Sequence, residues 1–271
     1  MPTESIRSQV SVRIDQRSPS ARVAYVSLNN ARKVNTLNSP LMRELVDGLR
    51  KLGADPDLRA VVLTGEGSTA FIGGANIYEM LDFDVAAARD YITLCHECCD
   101  AVRAVPVPVI ARINGHAIGA GLEIAASCDL RAASVDARFA MPEVKLGVPS
   151  VIEAALIPSL VGWGRAREIL LLGETFGAAD AAAWGLVERV VPVAELDQTV
   201  EKWVSSILNA EPRAVRMQKQ LMRAWEDLPL RGAIRAGIDC FAEAWEQDAP
   251  RSAMRKFVES EKERKAAKKP G

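Results

Sequence analysis

The sequence predicts an α/β fold that ends in a helical segment, and three observations carry this. Up to about residue 192, short strand-type stretches alternate with amphipathic helical ones, the pattern of stacked βαβ units. Beyond that point the apolar periodicity is helical throughout. No internal repeat, low-complexity stretch or flexible linker interrupts the chain, so its 271 residues divide into a core over 1–192 and a helical segment over 193–271.

Val10, Val12 and Ile14 alternate with Ser11, Arg13 and Asp15, which predicts a half-buried strand; the alternation over 22–28 predicts its hairpin partner. The stretch 29–38 is a polar loop, and a helix begins near Ser39 and Pro40 with Leu41, Leu45, Leu49 and Leu52 as its buried stripe. The continuous apolar run over 60–64 is expected to be a strand covered on both faces. A loop over 65–75 follows, after which Asn76 reads as a helix N-cap with Glu79 at the third helical position. A helix over 85–104 leads to Pro106 and Pro108, which set up a strand at 109–113. Further on, Ser150-Val151-Ile152-Glu153 matches a capping box, with Ser150 as the cap and a structural role for Glu153. Helical stretches at 162–173 and 178–184 and a strand at 187–191 complete the core. Amphipathic helices over 193–208, 211–226 and 229–246 follow, the last with Ile234, Ile238, Phe241 and Trp245 in one stripe, and a short helix carries Phe257.

Composition narrows the function. With 49% apolar and 25% charged residues and a formal charge of -1, the chain is ordinarily globular, and nucleic acid is not expected as its main partner. No apolar run approaches the roughly 18 residues of a membrane span, and MPTESIRSQV lacks the apolar centre of a secretory signal, so a cytoplasmic protein without a membrane partner is expected. The basic tail KERKAAKKPG is read as a solvated end. Five cysteines fit a reduced compartment. Cys95-His96-Glu97-Cys98-Cys99 resembles a metal cluster, but no second CxxC or HxxxH completes four ligands, and no metal is expected. Ala88, Ile92, Cys95, Cys99 and Val102 recur at helical spacing and are assigned to the core. His96 and His116 are assigned to it as well, since two histidines without a serine or cysteine elbow make no triad.

Chemistry concentrates between residues 113 and 143. A strand runs into Gly119-Ala120-Gly121, a helix opens there with Glu123 in its first turn, and Glu143 follows Pro142. Ala120 and Glu123, three apart, share a helix face. An unbonded N–H at the helix start then points the same way as a carboxylate, pairing an oxyanion donor with an acid/base group. The third glycine of a dinucleotide fingerprint is missing, and there is no Walker A motif. A second glycine-flanked turn, Gly73-Gly74-Ala75-Asn76, also joins a predicted strand to a predicted helix. Two such turns can aim two backbone N–H groups at one oxygen, as a thioester enolate requires.

These motifs strongly resemble those of the crotonase (enoyl-CoA hydratase/isomerase) superfamily over nearly the whole chain. They comprise LNNARKVNTLNSPLMREL (28–45), VVLTGEGSTAFIGGANIYEM (61–80), INGHAIGAGLEIAASCDLRAAS (113–134), ARFAMPEVKLGVP (137–149) and AADAAAWGLVERVVP (178–192). The resemblance implies a crotonase-like spiral of ββα units and a helical C-terminal trimerisation segment, assembled as a homotrimer or a dimer of trimers. It implies an oxyanion hole made by the N–H groups of Ala75 and Ala120, which would bind the thioester oxygen of an acyl-CoA substrate. Arg32 and Lys33, with the loop that carries Gly73, Gly74 and Ile77, would line the CoA nucleotide. No cofactor is implied beyond the coenzyme A of the substrate itself.

Family hydratases carry two catalytic glutamates, matched here by Glu123 in GAGLE and Glu143 in MPE. Retention of both implies hydration of a 2-trans-enoyl-CoA to a 3-hydroxyacyl-CoA, with Glu143 donating the proton to carbon and Glu123 positioning and activating water. Two neighbouring carboxylates do not both ionise cheaply, so one of them holds a proton. The alternatives are an isomerase or CoA-thioester hydrolase using one glutamate, and a non-catalytic member that binds CoA esters or RNA.

Three positions depart from the family pattern. Asn76 stands where aspartate is usual, and Ala120 replaces a central glycine, its methyl narrowing the pocket. VPSVIEAALIP (148–158) replaces a glycine-rich PGAGG stretch near the acyl chain, which bears on substrate specificity.

Overall fold

The computed structural model describes residues 9–267. Residues 1–8, most of the N-terminal stretch read for a signal, and 268–271 of the basic tail lie outside the described residues. Strands β1 (Val10–Ser18) and β2 (Ala21–Leu28) form the expected antiparallel hairpin, with Val12 opposite Val26. β1 is the edge of its sheet, and its apolar positions are less buried than the alternation predicts, Val12 and Ile14 being 43% and 45% exposed. Helix α1 (Ser39–Gly53) starts as expected: the Asn38 side chain accepts from the Leu41 N–H, Pro40 occupies the first turn, and the leucine stripe is buried.

β3 (Leu58–Gly65) is the fully covered strand that its apolar run predicts. The loop after it contains a strand the sequence does not announce, β4 (Ala70–Ile72), followed by α2 (Ile77–Met80) and α3 (Val85–Ala104). β5 (Val109–Ile113) is followed by another short strand, β6 (His116–Ile118), before α4 (Ala120–Ser127). β7 (Leu130–Ser134) and β8 (Arg138–Ala140) lead to two 3₁₀ turns, Glu143–Leu146 and Ile152–Leu156. The core then runs through α5 (Ile157–Leu172), β9 (Phe176–Gly177), α6 (Ala178–Ala183), β10 (Arg189–Val191) and α7 (Val193–Asn209).

The strands form two sheets, ordered β1-β2-β3-β5-β7-β10 and β4-β6-β8-β9. From β2 to β10 the larger sheet is parallel, and β4, β6 and β8 are parallel in the smaller one. Each turn of the chain lays one strand in the large sheet and the next in the small one (β3 then β4, β5 then β6, β7 then β8) before a helix or turn. This is the ββα spiral. The short strands escape periodicity analysis because two or three residues span barely one repeat of alternation. They nonetheless matter to the site, since β4 and β6 deliver the two glycine-flanked turns.

The chain forms two compact units divided after Ile207, so the expected division at 192 lies one helix early. α7 goes almost wholly with the core, burying Leu196, Val200 and Val204. The second unit holds α8 (Pro212–Asp227), α9 (Leu230–Ala244) and α10 (Ala249–Ala267). α10, expected to be short, spans 19 residues. On α9 the stripe of Ile234, Ile238 and Phe241 is 56%, 61% and 67% exposed.

Candidate active site

Two glycines shape the approach to α4. Gly119 takes φ +53, and a Cβ added there would stand 2.4 Å from Glu143 Oε1. Gly121 lies so close to β4 that a Cβ would stand 2.2 Å from the Ile72 carbonyl oxygen. Ala120 is absent from the positive-φ residues, so a residue with a Cβ is tolerated between the two glycines. It is 8% exposed.

All eight residues of α4 are buried, and Glu123 is 4% exposed. Burial pushes its carboxyl up to about 8; the Ala154 N–H, 3.0 Å from Glu123 Oε1, opposes the shift, and the charges of Glu143 and Glu153 add to it. Glu143 opens the first 3₁₀ turn, and its Oε2 accepts a 2.7 Å bond from the Ser150 hydroxyl. It lines a cavity of about 460 Å³ together with Gly73, Gly74, Ala75, Ile77 and Gly119. Leu146 and Val148 also line it, so of the 148–158 segment its first residue stands on the cavity wall.

Ala75 sits in an isolated parallel bridge opposite Leu37. Leu37 donates to the Gly74 carbonyl at 2.8 Å and accepts from the Asn76 N–H at 2.9 Å, so both bonds go to the residues flanking Ala75. The N–H of Ala75 therefore points away from that bridge. The Ala120 N–H belongs to the first turn of α4, where no intrahelical acceptor exists. Arg32 and Lys33 are exposed and do not line the cavity, but the next residue, Val34, accepts from the Gly73 N–H at 2.9 Å and joins their turn to its wall.

Five expectations are corrected. His96 is not a core residue: its side chain is half exposed, and Nδ1 lies 2.8 Å from Glu153 Oε1. Ser150 is not a helix cap, because its hydroxyl goes to Glu143. Glu153 makes no capping bond either; it is buried beside the catalytic candidates. The signal against the capping box is Pro158, which favours a helix start next to itself rather than seven residues earlier, and α5 does begin at Ile157. Asn76 caps α2 as expected, through the Tyr78 N–H at 3.2 Å, but Glu79 reaches to the Ser39 N–H and hydroxyl instead. Cys95 and Cys99 are buried as assigned, whereas Ala88 is exposed.

Among the described residues no group of three or more histidine, cysteine or acidic side chains is placed to hold a metal, and no helix is long and apolar enough to cross a membrane. The family model described as enoyl-CoA hydratase/isomerase matches residues 18–266. A short-chain-enoyl-CoA hydratase of Clostridium acetobutylicum is 33% identical over 242 residues, 89% of this chain and 93% of that protein. A crotonyl-CoA hydratase of Syntrophomonas wolfei is 31% identical over the same shares of the two chains, 89% and 93%. Among solved structures, an enoyl-CoA hydratase of Mycobacterium smegmatis superimposes with a TM-score of 0.87 at 30% identity, over 92% of this chain and 96% of that one.

Proposed function

The chain belongs to the enoyl-CoA hydratase/isomerase family, and we propose that within it this protein adds water to a 2-trans-enoyl-CoA to give the 3-hydroxyacyl-CoA. The observation that carries the reading is the unequal pair of carboxyls, one buried and holding a proton near neutral pH, the other in the cavity wall. A double-bond isomerase or thioester hydrolase needs only one of them.

In the proposed reaction the thioester oxygen takes hydrogen bonds from the Ala75 and Ala120 N–H groups, which stabilise the enolate. The Glu143 carboxylate removes a proton from water as its oxygen bonds to the β-carbon, and Glu143 then delivers that proton to the α-carbon. One O–H bond and the π bond of the C=C break, one C–O and one C–H bond form, and no net proton is exchanged. Glu123, expected from the sequence to activate water, keeps its own proton and orients the water by donating to it. Arg32 and Lys33 meet the phosphates of the CoA nucleotide, and Gly73, Gly74 and Ile77 form the wall beside it. The exposed apolar stripe on α9 supports assembly as a homotrimer or dimer of trimers. The buried thiols of Cys95, Cys98 and Cys99 support a reduced, cytoplasmic setting.

Mass analysis of crotonyl-CoA incubated with the enzyme tests the reading. Gain of one water without release of free CoA is expected; free CoA identifies a hydrolase, and an unchanged mass with a moved double bond identifies an isomerase.

A further inference from the structure

Residues 150–154 make three directed contacts within five positions. The Ser150 hydroxyl holds Glu143 Oε2 at 2.7 Å, the Ala154 N–H holds Glu123 Oε1 at 3.0 Å, and Glu153 reaches α3, with Oε1 2.8 Å from His96 Nδ1. The Glu153 side chain is 10% exposed and that of His96 51%. The second Glu153 oxygen, Oε2, is buried without a hydrogen-bond partner among the described residues. Ile152, just before it, takes φ +46, a left-handed conformation that costs a β-branched residue ~1–2 kcal/mol. A buried carboxyl with an orphaned oxygen beside a strained residue is costly and does not cap the turn it sits in. Facing Glu153 are His96 and Cys99 from α3 and Glu123 from α4. α5 also packs on this segment but brings Glu153 no hydrogen bond or ion pair among the described residues.

We propose that Glu153, clamped by His96, is the positioning residue of the catalytic pair: it ties the 150–154 segment to α3 and so sets where Glu143 and Glu123 hold their carboxyls. Its catalytic consequence rests on the hydration reading. The clamp couples two elements remote in sequence, so loss of either partner releases the same segment, and misplacement by about 1 Å is enough to cost ~10²-fold in rate.

The test compares the full-length protein with Glu153→Ala, His96→Ala, the double variant and Glu153→Gln. The readouts are enoyl-CoA hydration kinetics and backbone hydrogen exchange over 150–157. Because His96 is half exposed, His96→Ala probes the clamp without opening the core. Both alanine variants are expected to lose ~10²-fold in kcat with KM within about twofold, and to lose exchange protection in that segment. The double variant should be no worse than either single, as for two halves of one contact. Glu153→Gln still accepts from the His96 ring and should restore most of the rate and protection. Unchanged kcat or unchanged protection in His96→Ala, or multiplicative losses in the double variant, overturns the proposal. Should the wild type hydrate no enoyl-CoA, the hydration reading falls, while exchange still decides the clamp: protection lost in both alanine variants upholds it, and unchanged protection overturns it.

Discussion

Glu123 sits on α4 beneath the 152–156 turn, and its carboxyl is raised to about 8, whereas Glu143 stands in the cavity wall with the Ser150 hydroxyl on one oxygen. Replacing Glu143 by glutamine preserves that hydrogen bond and removes the base, so kcat for hydration should fall by ~10²–10⁴ with little change in thermal midpoint. The raised value of Glu123 has two measurable consequences. If its proton is needed to hold water, activity should fall as pH rises through about 8, and a flat rate between pH 6 and 10 would contradict that role. Stability follows the same group. The folded state retains this proton above the ordinary 4.5, where the unfolded chain gives it up, so stability declines as pH rises from about 4.5 to about 8. Glu123→Gln abolishes that dependence, and its thermal midpoint should gain on the wild type steadily over the interval. At this scale Glu123 and Glu143 were legible because each lies inside a local motif. His96 and Glu153 were not, because 57 residues separate them. Each also had a local explanation at hand, one in a cysteine-rich helix and one in an apparent cap.

The elements that position these residues were legible in proportion to their length. Five-residue or longer apolar runs such as β3 and β5, and stripes such as that of α1, show a full repeat of their pattern. β4, β6, β8 and β9 do not, and the second sheet was therefore invisible, although it carries both turns of the site. The two close-packed glycines of the second turn meet different neighbours, Gly119 the Glu143 carboxyl and Gly121 the Ile72 backbone. Gly119→Ala should push aside the Glu143 carboxyl, a movable side-chain end, and abolish turnover, and its positive-φ backbone adds a strain of ~1–3 kcal/mol that lowers the denaturation midpoint as well. Gly121→Ala meets the backbone of Ile72, so it should destabilise the fold by ~1–3 kcal/mol, read as a lowered denaturation midpoint. Turnover retained by Gly119→Ala, or an unchanged midpoint in Gly121→Ala, would contradict this placement.

For the whole molecule, the second unit presents Ile234, Ile238 and Phe241 of α9 to solvent, with Leu230 beside them at 77% exposure. Residues of this kind exposed together mark an association surface, and light scattering should find three or six copies. Ile238→Glu should shift the mass toward a single chain; a monomeric wild type would contradict the proposed assembly. The helical periodicity shows this stripe plainly, but only the three-dimensional arrangement shows that the other helices of its own unit leave it uncovered. The central claim concerns the first unit, and the ultraviolet absorbance of crotonyl-CoA, a conjugated thioester, tests it most directly. The account predicts rapid loss of that absorbance with the wild type and a rate lower by ~10²–10⁴ with Glu143→Gln. Equal rates for the two proteins would show that the carboxyl pair does not carry the reaction.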